Sequence, residues 1–339
     1  MKKNIKLSYH QICILLGVAL VATIIGSVTL GRYPIGIREL GGILAAQVWE
    51  VEPFWTGIQE SLLLQHRLPR IALACMVGGG LASAGAAYQG VFRNPMAAPD
   101  ILGASSGAAF GAALAILLKL SGPGIMLLAF CGSLLTVMLV MFVAGRARDK
   151  QVLGLILSGI MIGSLISSGT SLIKLVADPE DQLPAITYWL MGSLNGASPK
   201  DVRFALIPMA AGLIPLYLLR WRINLLTLGD EEARTMGVNA RRLRSVVILC
   251  ATLVTAATVS VSGVIGWVGL VIPHLTRRMV GNNYRHLIPA SALFGGIFLL
   301  MVDNLSRNLF TAEIPIGILT SFIGAPFFLY LIVGEGERL

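Results

Sequence analysis

The sequence predicts an all-α, polytopic membrane protein of about ten transmembrane helices that forms one domain over residues 1–339. Of these residues, 55% are hydrophobic and only 13% are charged, which is too few to solvate the surface of a water-soluble domain of this size. Apolar runs close to the 20 residues that cross a bilayer recur along the whole chain. The basic residues cluster in every second connection between these runs, as they do in multi-pass membrane proteins.

The first predicted span covers about residues 11–30 and follows a basic start. The run is long and no small-residue cleavage site follows it, so a retained span is favoured over a removable signal peptide. The second span, about 68–90, is crowded with glycine, alanine and serine, which let membrane helices approach closely. A turn at 89–108, rich in proline and glycine, leads into a short third span that ends near residue 119.

Seven further spans complete the prediction. Pro208 and Pro215 interrupt the sixth, and a short helix at about 184–194 is predicted in the polar connection before it. The eighth span is short and ends at a basic run, 277–285. Spans four to ten are predicted at about residues 125–145, 152–176, 204–219, 243–261, between 263 and 277, 287–305 and 315–333.

The distribution of basic residues orients these spans. With the N-terminus inside, 17 of the 26 Lys and Arg residues fall on the inner side, which places both termini and the loop 220–244 in the cytoplasm. The net charge of +9 reflects this asymmetry and does not indicate binding to nucleic acid. We therefore predict a multi-pass, lipid-embedded protein with both termini in the cytoplasm.

The fifth predicted span carries a stripe of small residues. Gly159, Gly163, Ser167 and Ser171 recur at intervals of four, so they share one helix face. Such a stripe usually packs closely against a neighbouring helix. It could also form the wall of a translocation path, and the two interpretations are compatible.

The loop 220–244 is predicted to contain two short helices, over about 223–239. Asn224 would cap the first helix, which ends at Gly229, and Asp230 would cap the second, which ends at Gly237.

This loop combines charges with an apolar surface, which is typical of a docking surface for another protein. The alternative is an amphipathic hairpin lying among the lipid headgroups. Asn239 is placed to cap the membrane span that follows. The apolar residues of the loop are Leu225, Leu226, Leu228, Ala233, Met236 and Val238.

Ionisable residues are almost absent from the predicted spans. Asp303 is the one acid within a span, and Arg307, four residues later, is placed to pair with it. Secondary transporters usually bind coupling ions at mid-membrane ionisable groups. The scarcity of such groups here disfavours an ion-coupled secondary transporter, which is the alternative function that we considered. No GxxxxGK[ST], HExxH or CxxC pattern occurs, so the sequence predicts no ATP site, no metal site and no catalytic set for an intramembrane enzyme.

Five motifs in order resemble the permease subunits of ATP-binding-cassette (ABC) importers for iron-siderophores, haem and cobalamin, which are type II importers. The resemblance runs along nearly the whole chain and implies ten spans per subunit and a dimer of permeases in the bacterial cytoplasmic (inner) membrane. It also implies two cytoplasmic ATPase subunits, which bind ATP and Mg²⁺, and an extracytoplasmic substrate-binding protein. The motifs are HRLPR (66–70), RNPMAAPDILGASSGA (93–108), LTLGDEEARTMGV (226–238), GLVIPH (269–274) and IPIGILTSFIGAPFF (314–328).

The resemblance also implies roles for particular residues. Arg67, Arg70 and Arg307 match arginines that meet acids of the binding protein, and we expect them at an aqueous outer rim. Alternatively, they pair with Glu60, with Asp303 or with lipid phosphate. Further implied sites are the cytoplasmic gate at Asn94 and Met96, where the family often has Leu in place of Met96, and the ATPase coupling element, with Leu226, Leu228, Gly229, Asp230, Glu231, Ala233, Met236 and Gly237.

The cargo is predicted to be a bulky metal chelate, with an iron-siderophore as the first candidate. Haem, cobalamin and molybdate-type cargo remain open, because selectivity would reside mainly in the binding protein. The chain is expected to pair with a second copy of itself and to hold no cofactor.

Overall fold

The computed structural model describes residues 8–31, 33, 35–146 and 151–336, and these form helices and connecting turns. A π-helix (Leu62–Arg67) precedes α4 and a 3₁₀ helix (Pro99–Leu102) precedes α5. The α-helices are α1 (Tyr9–Thr29), α2 (Ile37–Ala45), α3 (Gly57–Ser61), α4 (Leu68–Phe92), α5 (Ala104–Leu117), α6 (Gly122–Ala144), α7 (Gln151–Val176), α8 (Gln182–Leu190), α9 (Pro199–Leu228), α10 (Asp230–Thr235), α11 (Ala240–Ser262), α12 (Val268–Val280), α13 (Tyr284–Asn308) and α14 (Ile316–Gly336).

Seven helical segments within the described ranges are long and apolar enough to cross a membrane. They are α1, the continuous segment Gly57–Phe92, α6, α7, α9, α11 and α13. The other three predicted spans correspond to α5 and α12, which are shorter, and to α14. The count of ten and the cytoplasmic location of both termini stay predictions. Of the basic residues that orient the spans, Lys2, Lys3, Lys6, Arg32, Arg148, Lys150 and Arg338 lie outside the described residues.

Helix α4 lies at the centre of the bundle because its small residues allow other backbones to approach it. It packs against α9, α11, α12 and α13. A Cβ atom on Gly78 would lie 2.2 Å from the Gly295 carbonyl oxygen of α13, and one on Gly85 would lie 1.8 Å from the Gly269 carbonyl oxygen of α12. The prediction that small residues in this span permit close helix contact is confirmed.

Helix α9 corrects the prediction of an interrupted sixth span. It continues through Pro208 and Pro215 over 30 residues, because helices packed inside a membrane bundle tolerate internal proline. Ser198 begins it with a capping box that pairs with Asp201. The short helix predicted at 184–194 is present as α8, which begins and ends earlier than predicted.

Candidate functional site

The structure brings charged residues from three chain segments into one cluster at the ends of α4 and α13. Asp303 is fully buried, and its two carboxylate oxygens form ion pairs with Arg70 Nε at 2.9 Å and with Arg307 Nε at 3.1 Å. Arg70 also reaches Glu313, which lies between α13 and α14, with 2.9 Å between Nη2 and Oε2. The predicted pair of Asp303 and Arg307 is confirmed, and Arg70 and Glu313 extend it.

Arg67 joins the same region without an acidic partner in the described part of the chain. Its guanidinium group is buried and donates hydrogen bonds to two backbone carbonyl oxygens, at 2.9 Å to Val28 and also to Tyr33. These bonds use two of the five N–H donors of the guanidinium group. Neutral carbonyl groups do not compensate its positive charge.

The expectation that the three arginines sit on an aqueous rim is wrong. Arg67 and Arg70 are buried and Arg307 is half-buried, because helix packing and ion pairs hold them. Instead, all three line one cavity of about 290 Å³. Glu60, the alternative partner for these arginines, instead accepts a hydrogen bond from Trp55 Nε1 at 3.1 Å.

The predicted gate turn lies at the opposite end of α4. Arg93 ends this helix in the left-handed region, at φ 51°. The Asn94 side chain closes the turn by accepting a hydrogen bond from the Met96 backbone N–H at 2.8 Å. Met96 is 47% exposed, so an apolar side chain projects from the turn, and its gating role stays a prediction.

The stripe on α7 divides into two parts. Gly159 and Gly163 are buried and pack on the 3₁₀ helix and the start of α5, where a Cβ atom on Gly159 would lie 2.1 Å from the Ile101 carbonyl oxygen. Ser167 and Ser171 are exposed. Helix packing therefore accounts for the two glycines. The exposed serines are compatible with the wall of a translocation path, which stays a prediction.

The loop after α9 differs from the prediction at its start. Asn224 does not begin a separate helix but lies inside α9, where its amide is used in long-range contacts. Its Oδ1 accepts a hydrogen bond from Tyr284 N at 2.9 Å, and its Nδ2 donates to Asn283 Oδ1 at 3.0 Å. These bonds tie α9 to the beginning of α13. The prediction is correct that Gly229 ends the helix, at φ 135°.

The second short helix exists as α10. Gly229 occupies the cap position in place of Asp230, whose carboxylate instead binds Arg244 of α11 at 2.6 Å. Gly237 is left-handed as predicted, at φ 77°, and Asn239 caps α11 by accepting from Arg242 N at 3.0 Å.

The apolar residues of this loop do not all face outward, which corrects the predicted coupling surface. Leu226 and Ala233 are fully buried inside the permease itself. Leu228 and Met236 are 54% and 58% exposed, and Glu231 is exposed beside them. A partner protein could therefore contact Leu228, Met236 and Glu231, whereas Leu226 and Ala233 hold the loop against the bundle.

Within the described ranges, no group of three potential metal ligands occurs. Sequence reasoning missed Glu313 and Arg244. The local signals for them were weak: Glu313 is an acid in the connection between α13 and α14, and Arg244 lies about one turn from the start of α11.

Comparisons with known proteins agree with this fold. The model of the FecCD transport family matches residues 19–334. The molybdate import system permease protein MolB of Haemophilus influenzae is 41% identical over 323 residues, 95% of each chain. A probable iron chelatin transport system permease protein of Helicobacter pylori is 43% identical over 271 residues, 80% of this chain and 82% of the relative.

A solved structure extends the likeness to three dimensions. It is a metal-chelate type ABC transporter in an inward-facing conformation, with a TM-score of 0.86 and 39% identity over 96% of this chain and 99% of its own. This match confirms the predicted all-α permease fold of a type II importer. The family and the similar permeases confirm a multi-pass protein of the bacterial inner membrane, in agreement with the apolar helices. The chain therefore belongs to the FecCD transport family, whose members are permeases of ABC transporters.

Proposed function

We propose that this permease forms the path by which an ATP-driven importer moves a metal-containing cargo into the cell, with an iron-siderophore as the first candidate. The observation that carries the proposal is the likeness of nearly the whole chain to a metal-chelate type ABC transporter. A separate ATPase subunit would bind ATP and Mg²⁺, and two copies of the permease would enclose the path. The translocation residues would include Asn94, Met96, Ser167 and Ser171.

The ion-coupled alternative gains no support from the buried acid. A coupling-ion site needs a carboxylate that is available to a proton or a metal ion. Asp303 already forms ion pairs with Arg70 and Arg307, at 2.9 and 3.1 Å. Two adjacent positive charges repel a cation, so this carboxylate fits an ion-pair role better than a coupling-ion site.

The outer end of the bundle would receive the binding protein. Three arginines line its cavity, against Asp303 and Glu313 as acids, so positive charge is in excess. Excess positive charge attracts acidic side chains and accelerates association with a partner that carries them. Arg67, Arg70 and Arg307 line this cavity and would attract these acids to it.

The inner end would couple the permease to the ATPase. The exposed side chains Leu228 and Met236 offer the partner an apolar contact. The ion pair between Asp230 and Arg244 fastens α10 to α11, so a push on α10 is transmitted to a membrane helix. Gly229 and Gly237 set the angle of α10 at its two ends.

Molybdate is the second candidate cargo, because a molybdate permease is 41% identical over 95% of this chain. We expect the complex reconstituted with its own ATPase and binding protein to take up radioactive iron bound to a siderophore. Vesicles loaded with ATP would be supplied with labelled iron-siderophore or labelled molybdate, and vesicles without ATP would be the control. Uptake of molybdate alone would replace the first candidate, and ATP-independent uptake of either would refute the ATP-driven proposal.

Met236→Asp should uncouple transport from ATP hydrolysis, because it places a charge in the contact proposed for the ATPase. Insertion and thermal stability should remain near those of the unaltered protein, since Met236 is exposed. Ala233→Asp is the comparison: it should destabilise the permease itself, because Ala233 is buried within it. The measurements are the melting temperature and ATP hydrolysis stimulated by the loaded binding protein. Normal stimulation in Met236→Asp would remove α10 from the coupling site.

A further inference from the structure

An open groove of about 780 Å³ separates the end of α9 from the start of α11. Its walls include the apolar residues Leu225, Met236 and Val246. Two basic residues, Arg222 and Arg242, also line it, with Trp221 beside them. We call this feature the α9–α11 groove.

The charge that the described residues give this groove has one sign, because no acidic side chain among them lines it. Arg222 and Arg242 are exposed, and neither forms an ion pair with any residue in the described ranges. The groove therefore presents two uncompensated positive charges above an apolar wall.

The position of the groove corresponds to the boundary between hydrocarbon and lipid headgroups. The apolar stretch of α9 ends near Leu219, and Arg222 lies three residues beyond it, about 4.5 Å along the helix axis. On the other wall, Arg242 lies four residues before Val246, where the apolar stretch of α11 begins. Trp221 is 56% exposed, and tryptophan favours this interfacial level.

We propose that the α9–α11 groove is a binding site for an anionic phospholipid. The lipid phosphate would lie between Arg222 and Arg242, and an acyl chain would follow the wall formed by Leu225 and Val246. Basic pockets between membrane helices bind anionic headgroups in this way, because the phosphate is attracted to arginine while the chain stays in an apolar environment. The site does not depend on the identity of the cargo.

Two other occupants are physically reasonable, and the test must separate them from lipid. The ATPase subunit could cover the groove, because Met236 forms part of the wall and belongs to the proposed coupling contact. A second copy of the permease could also cover it. Both would bring a protein side chain, and not a lipid, next to Val246.

The experiment uses the complete complex in nanodiscs of phosphatidylcholine, with or without phosphatidylglycerol. We expect phosphatidylglycerol to raise the melting temperature of the unaltered permease and to remain bound in native mass spectrometry. Arg222→Gln with Arg242→Gln should abolish the rise in melting temperature and lower retention roughly thirtyfold, if each arginine contributes the usual attraction at a membrane surface. Arg278→Gln with Arg285→Gln removes two exposed arginines elsewhere on the same side and should change neither value.

A photo-reactive residue replacing Val246 identifies the occupant directly. Cross-linking to phosphatidylglycerol supports the proposal. Cross-linking to the ATPase or to a second permease in its place would overturn it, as would equal losses in both pairs of arginine variants. Unchanged lipid retention in Arg222→Gln with Arg242→Gln would also overturn it.

Discussion

Gly85→Ala should prevent the permease from folding stably. A Cβ atom at this position would lie 1.8 Å from the Gly269 carbonyl oxygen and 2.6 Å from its carbonyl carbon. Backbone atoms cannot rotate away as a flexible side chain can, so α4 and α12 would have to separate. The cost should exceed the 1–3 kcal/mol or so of ordinary overpacking. The measurement is the melting temperature of the purified protein, together with its yield as a single species in size-exclusion chromatography.

Gly17→Ala is the matched control, because it is the same substitution in the middle of another membrane helix. No atom lies within 4 Å of a Cβ built on Gly17. Alanine is also the better helix former, by about 0.5–1 kcal/mol, so this variant should melt at or above the temperature of the unaltered protein. If Gly85→Ala melted as Gly17→Ala does, the close approach of α4 to α12 would be wrong.

The sequence predicted those features that depend on local pattern. The length and hydrophobicity of each run located the helices, and the small residues of α4 predicted close contacts. Asp303 and Arg307 are four residues apart on one helix, so their pairing was accessible from spacing alone. The turns at Gly229 and Gly237 were accessible because glycine favours positive φ.

The remaining features depend on contacts between distant residues. Arg70 lies 233 positions from Asp303, and no local pattern relates them. Asn224 resembled a helix cap, but its bonds to residues some 60 positions later keep it inside a continuous helix. The apolar pattern of the loop gave Ala233 and Met236 the same role, since hydrophobicity does not distinguish a buried contact within the chain from one with a partner.

Asp303→Asn should destabilise the protein strongly, because two arginines depend on this buried carboxylate. Arg70 and Arg307 would keep their positive charges, and Glu313 would be the remaining acid in the cluster. Removing one partner of a buried ion pair lowers stability by about 3–5 kcal/mol, because the other charge stays buried without compensation. The free energy of unfolding, measured by titrating the purified permease with dodecyl sulfate, should fall by about this amount. Asp181→Asn should leave it unchanged, because Asp181 is exposed and forms no ion pair with the described residues.

A double-mutant cycle distinguishes loss of the ion pair from a general effect of the substitution. Arg307→Gln alone should also destabilise the protein, because it leaves Asp303 with one partner, Arg70. In the Asp303→Asn background, Arg307→Gln removes a charge that no longer has its acid, so its cost should be much smaller or reversed. The coupling energy between residues in one network is typically about 0.5–3 kcal/mol. If the destabilisation by the two substitutions were additive, Asp303 would not stabilise Arg307. The buried positive charge at the ends of α4 and α13 would then need another explanation.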